Sequence, residues 1–257
     1  MFLLGSVHAL TDNEYPLPIS MEKAFMASDQ TAFEVDLANA SDANVATLVR
    51  KFGMYASPQT LQTEISGDTL ILLRNHLAVR DISFDSVKQM RPWFVSLTLA
   101  LRELESLKYD AELGVDQYFQ QKARAQMKPI LELESIAAQF ALLASDSDSI
   151  QELALRSNIA ESRQTESQIN ELIKAWQEGD ADGMWRAGIS ASSYPELDVQ
   201  IKKLIDNRNK QMVEKIKQYL TLKKTTLVVI GALHMGGEQG ILNLLSTHYT
   251  IEQLGPE

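Results

Sequence analysis

Cysteine is absent from this 257-residue chain. That excludes disulfides, Cys-ligated zinc, iron–sulfur clusters and thiol nucleophiles. The redox compartment stays open, because a chain without thiols tolerates oxidising and reducing surroundings alike. Glycine and proline are scarce, at 12 and 7 residues, which argues against an all-β sandwich and against long disordered linkers. No apolar run reaches the roughly 18 residues that a membrane-crossing helix needs. An excess of basic charge is also missing. The formal net charge is −10 and no Lys/Arg stripe with interleaved aromatics is visible, so nucleic acid is not expected as a partner. The acidity fits solubility, or a cationic or metal-containing ligand.

Apolar residues make up 45% of the chain, enough for a sizeable core, and the length suits a single α/β domain over 1–257. Strands are expected where apolar or β-branched runs are short and bounded by breakers. These are a short one ending at Gly5, a second over 31–37 (TAFEVDL), a third within 128–134 (KPILELE), a continuous run over 225–230 (TTLVVI) and a last one over 249–254. Residues 60–65 read as an edge strand or an extended segment. Helical spacing dominates elsewhere, over 21–28, near 70–79, from 87 to 108 with a break at Pro92, and over 116–127, 135–144, 149–178, 195–220 and 238–246. The expected architecture is α/β: a mixed central sheet from N-terminal, middle and C-terminal strands, with a large helical insertion at about 65–220.

Two segments share one form. A hydrophobic strand ends in Gly-x-x-His at 5–8 (GSVH) and again at 231–234 (GALH). Ligands of open α/β sheets collect at the carboxyl ends of strands. If the two strands are parallel neighbours, His8 and His234 meet on one rim, within about 10 Å, where they can share a metal or one can act as a base. The alternative is two isolated polar residues at strand ends. Groups poised at a rim serve chemistry more than packing, so removing either histidine is expected to cost little stability. His76 and His248 lack this context and read as structural or surface residues.

Glu34 and Asp36 alternate with Phe33 and Val35 in FEVDL, which puts the two carboxylates on one side of a strand. A carboxylate there is costly unless paired or metal-bound. Glu34 reads as a ligand or general base, or as the partner of an arginine. Asp36 reads as reaching solvent or capping a loop. Glu134 in PILELES falls near a helix N-terminus, where the local dipole favours it. Arg208 and Asn209 lie in a long charged helix whose default is a solvated face.

Taken in order, these segments resemble the TraB/GumN family, which is related to the Tiki proteases, to the pheromone-shutdown protein of enterococcal plasmids and, more distantly, to ChaN-like and erythromycin-esterase-like folds. FLLGSVHALTDNEYPLP resembles the family's opening Leu-Gly-Thr/Ser-Ile/Val-His with its Tyr-Pro-Leu-Pro element. FEVDL resembles its acidic strand. RPW at 91–93, GVDQYF at 114–119, KPILELESIAAQ at 128–139, AWQEGD at 175–180 and RN at 208–209 follow in order. VVIGALHMGGEQGILNLL closes the match. The resemblance covers nearly the whole chain. It implies that His8, His234 and Glu34 are the metal or catalytic residues, and it makes Glu134, Arg208 and Asn209 pocket candidates. Ser135 stands where the family has Thr, and Met235 where Leu is commoner.

The resemblance implies a metal-dependent hydrolase, peptidase-like, whose divalent ion (Mn, Co, Fe or Zn) would activate water and polarise a carbonyl. His-Glu-x-x-His and Gly-x-Ser-x-Gly signatures are missing, so the common zinc-protease and serine-hydrolase routes are not expected. The alternative is a non-catalytic member that binds a peptide, haem or another small ligand; a third is a structural or interaction protein of an export or surface-polysaccharide pathway. Only four residues precede Gly5, short for a core strand. The natural product is therefore expected to begin upstream and, with the leader that the resemblance implies for many bacterial members, to work in the periplasm or elsewhere outside the cytoplasm; without one, in the cytoplasm. An incomplete first strand would also leave a sheet edge that a homodimer can cover.

Overall fold

The computed structural model describes residues 1–36, 41–189 and 194–255. Its centre is a four-stranded sheet of β1 (Phe2–Ser6), β2 (Gln30–Phe33), β3 (Ile130–Glu132) and β4 (Thr226–Gly231), in the order β1-β4-β2-β3. All pairings are parallel. The α/β class holds, with strands drawn from the N-terminal, middle and C-terminal stretches. The last strand in sequence is inserted between the first two, and it is buried along its whole length. Its continuous β-branched and apolar run is what burial on both faces demands.

Side chains alternate across β4. Leu227 and Val229 join Leu4, Phe25, Phe33, Val115 and Phe119 on one face. Val228 and Ile230 join Ala32, Met212, Val213, Ile216 and Ile241 on the other. Each fully buried Val, Leu or Ile contributes about 1.5–3 kcal/mol. The first face is covered by the helices Ile19–Met26 and Val115–Ala125. The second is covered by the helices Pro195–Leu220 and Ile241–Ser246. Crossovers thus leave β1 and β4 toward opposite faces, the arrangement in which open α/β sheets bind ligands at the carboxyl ends of the strands.

A third core lies apart from the sheet. Leu61, Leu73, Leu77, Val95, Leu99, Leu155 and Ile159 pack the helices Leu61–Glu64, Gly67–Val79, Pro92–Ser106 and Asp148–Glu161 on one another. Among the described residues, no helix is long and apolar enough to cross a membrane.

Several expectations are corrected. Residues 60–65 hold the short helix Leu61–Glu64, nucleated by a reciprocal cap between Thr60 and Thr63, so the alternative of an edge strand falls. The helix expected from 87 begins only at Pro92, because proline's fixed φ and missing N–H suit the first helical position and not an interior one. Residues 149–178 form two helices, Asp148–Glu161 and Thr165–Gln177. The strand expected over 249–254 is irregular chain. The strand expected over 31–37 stops at Phe33, and Leu37 lies outside the described residues. Asp36 is buried and paired with Arg124, its N–H donating to Glu132 Oε1 at 2.8 Å, so it does not reach solvent.

Candidate functional site

β1 and β4 run side by side in register, with Gly5 opposite Ile230 and Ser6 opposite Gly231. The two Gly-x-x-His turns therefore leave the sheet at the same level. Gly5 permits this approach: a Cβ there would lie 3.1 Å from the Ala232 Cβ and 3.3 Å from its Cα. Gly231 lies at the middle of the cluster. A Cβ on it would lie 3.1 Å from Glu34 Oε1, 3.2 Å from His8 Nε2 and 3.7 Å from His234 Cδ2. The two imidazoles and the carboxylate thus surround one point at the sheet's carboxyl edge, well inside the expected separation.

Glu34 arrives from β2, on the other side of β4. The Phe33 carbonyl accepts from Leu133 N–H at 2.8 Å, and the Glu34 carbonyl from Glu134 N–H at 2.7 Å. The rung toward β4 is different: the Gly231 N–H donates to Glu34 Oε1 at 2.7 Å. A side chain replaces a backbone acceptor, which satisfies a strand-end N–H and draws the carboxylate into the cluster. The other oxygen accepts from Arg208 at 2.6 Å and from Gln139 at 3.4 Å. Arg208 also donates to both oxygens of Glu134, at 2.9 to 3.2 Å. The arginine partner weighed for Glu34 is present, and it is shared with Glu134. Burial pushes the Glu34 carboxyl up, but the neighbouring His234, His8 and Arg208 charges and the Gly231 N–H outweigh it, and the net direction is down.

The histidines differ. His234 is 5% exposed and its Nδ1 faces Asn209 Oδ1 at 2.6 Å. Asn209, fully buried, donates its amide to the Gln239 carbonyl at 2.8 Å. That bond orients the amide, so His234 Nδ1 must carry the proton and Nε2 keeps its lone pair. Burial, with the Arg208 charge, lowers the His234 pKa to about 4 against the opposing pull of Glu34 and Glu134. Removing His234 would take from Asn209 Oδ1 its His234 partner in the core, so a larger stability loss is expected here than at the open rim. His8 has a side chain 65% exposed, and its Nδ1 meets Asp116 Oδ2 at 3.1 Å. Burial of the ring's inner edge lowers its pKa. The Asp116 hydrogen bond and charge, joined by Glu34, outweigh this and raise it to about 9. Water over the open face screens these charges.

Residues outside the candidate set hold this frame. Asp116, Gln139 and Trp176, whose Nε1 donates to the Gly5 carbonyl at 2.9 Å, all sit in motifs that carried the resemblance. Nothing in periodicity marks them, since each occupies an ordinary helical position. His76 faces Arg80 and His248 is exposed, both away from the cluster.

The chain matches the profile of the TraB/PrgY/gumN family over residues 1–253. It belongs to that family. Over 141 residues it is 28% identical to the protein YbaP of Escherichia coli (strain K12), covering 55% of this chain and 50% of YbaP. The same figures hold for YbaP of Shigella flexneri. The chain thus spans about half the length of these curated relatives in the match. No solved structure matches.

As the side chains stand, no group of three or more His, Asp or Glu among the described residues is disposed to hold a metal ion. Glu34 is turned toward Gly231 and Arg208. The imidazoles are different: each has its Nδ1 partnered, the state in which Nε2 serves as a ligand.

Proposed function

We propose that this family member is a hydrolase acting on a peptide or related carbonyl substrate, centred on His8, Glu34 and His234. The observation that carries the reading is their convergence around Gly231. A structural role would not require two histidines and a carboxylate from three neighbouring strands to crowd a residue without a side chain.

His234 Nε2, and His8 Nε2 once that ring gives up its proton, are the donors a divalent ion (Mn, Co, Fe or Zn) would take, with Glu34 as the third. The donor types that meet around Gly231, in a cradle that a Cβ would fill, are those such an ion takes, with Glu34 turning from Gly231 and Arg208 to reach it. Bound there, it would supply an activated water and a polarised carbonyl. The chain's own residues do the rest. Asn209 keeps the His234 proton on Nδ1 and the lone pair on Nε2. Arg208 holds Glu34 and Glu134 in place and offsets their charge. The half-open face beside His8 admits substrate, while His234 lies on the dry side.

The test is metal content of protein purified without chelator, followed by a peptide-cleavage screen with each ion added to chelated protein. The expected result is cleavage that returns with a divalent ion and is lost in His234→Ala. Retention of a peptide or haem without turnover would make the chain a binding member of the family instead. Equal cleavage by wild type, His8→Ala and His234→Ala would overturn the assignment of these residues.

A further inference from the structure

We propose that Asp116 is a positioning residue that aims the exposed His8 ring at Gly231. The kinetic part of this inference rests on the hydrolase reading; the geometric part does not. A ring that is 65% exposed has little packing to select its rotamer, and without a second contact its Nε2 would sweep over solvent. His8 Nε2 nonetheless lies 3.2 Å from the Cβ position of Gly231. The contact that sets this direction is the one from His8 Nδ1 to Asp116 Oδ2, at 3.1 Å.

Asp116 is itself rigidly placed. It lies in the first turn of the helix Val115–Ala125, and Val115 is fully buried. The Val115 N–H donates to the Val7 carbonyl at 2.9 Å. Gly114 passes so close to His8 that a Cβ on it would lie 2.5 Å from the His8 carbonyl oxygen. Leu10 and Asp110 exchange both backbone hydrogen bonds, at 3.2 and 2.9 Å. The backbones of the His8 turn and of this helix start are thus joined without Asp116, and its side chain is free to serve the ring. Its second oxygen, Oδ1, is buried with no hydrogen-bond partner. Leaving a carboxylate oxygen so desolvated is costly, and the bond to His8 is the compensation visible.

A carboxylate in a first helical turn also has a bland role, since it favours the helix dipole. The experiment separates the two. The Nδ1 proton of His8 is followed by nitrogen-resolved NMR in wild type, Asp116→Ala and Asp116→Asn, beside peptide-cleavage kinetics. The expected result is a slowly exchanging His8 Nδ1 proton in wild type. It should disappear in Asp116→Ala and be kept in Asp116→Asn, whose amide oxygen can still accept. The kcat of Asp116→Ala should fall by about 10–100-fold, with KM little changed and Asp116→Asn intermediate. An unchanged His8 Nδ1 proton in Asp116→Ala would overturn the proposal. So would an equal kcat in wild type and Asp116→Ala. If wild type cleaves no peptide, the hydrolase reading fails while the NMR result still decides the role of Asp116. Should Asp116→Ala not fold, the near-isosteric Asp116→Asn decides: a His8 Nδ1 proton exchanging no faster than in wild type would overturn the proposal, and faster exchange would support it.

Discussion

The first Gly-x-x-His turn sits on an edge strand and the second on an interior strand buried along its whole length. His8 is open to solvent and tied to a carboxylate; His234 is enclosed and tied to a neutral amide. The surroundings push their pKa values in opposite directions, up to about 9 and down to about 4. The same four-residue form thus yields a cation-favouring ring at the mouth and a neutral ring on the dry side. The difference teaches that a motif sets where a side chain starts, while the partner on the facing helix sets its chemistry.

Four measurements would break or sharpen this contrast. The largest effect should come from Arg208→Ala, because the arginine binds Glu34 and Glu134, whose side chains are 11% and 9% exposed. Removing it leaves two buried carboxylates without their shared cation, held only by Gly231 N–H, Gln139 and His8, and urea unfolding should show a loss of about 3–5 kcal/mol. A loss below about 1 kcal/mol would mean that the buried side of the site is wetter than described.

The two motif glycines should separate next. Gly5→Ala presses on the Ala232 backbone and should cost about 1–3 kcal/mol of stability. Gly231→Ala presses mainly on side-chain atoms of Glu34 and His8. Its cost in stability should be smaller, while cleavage or ligand binding is lost. Retained function in Gly231→Ala with a folded protein would count against the shared centre.

The histidines themselves should differ in the same sense. His234→Ala should lose about 1–3 kcal/mol through the unpaired Asn209 acceptor. His8→Ala should lose less, because water reaches Asp116 Oδ2 once the exposed ring is gone. Thermal melts of the two variants in chelated buffer make the comparison, and equal losses would erase it.

The smallest effect is in the pH dependence of stability. The His8 pKa is raised on folding, so its contribution is whole below about pH 6.5 and fades as pH rises through about 9. The His234 pKa is lowered, so its penalty is absent above about pH 6.5 and grows as pH falls through about 4. Solvent screening keeps the His8 slope shallow. Unfolding measured across pH should therefore show the alkaline slope flattened in His8→Ala and the acid slope flattened in His234→Ala. The reverse pattern would contradict the assigned environments.

The pair of histidines was legible in the sequence because a strand followed by glycine is a local signal, and two copies of it stand out when the chain has only four histidines. Glu34 was legible as a costly carboxylate beside an apolar run. Its geometry was not, because the strand ends at Phe33 and its side chain takes over a rung of the ladder. Asp116, Gln139 and Trp176 act from helices far away in sequence, and nothing in their own neighbours distinguishes them from surface or core positions.

What the sequence by itself determined is the local structure: the β-branched run of β4, the helix spanning Pro195–Leu220, and the glycines that end β1 and β4. These follow from periodicity, propensity and backbone freedom, which act over a few residues. Only the tertiary structure decided that β4 enters between β1 and β2 and so brings His8, Glu34 and His234 to one point. It also decided which partner each histidine meets, Asp116 or Asn209. The physical reason is range. Hydrogen bonds and charges act over a few ångströms in space, and the one from Gly231 to Glu34 joins residues 197 apart in the chain.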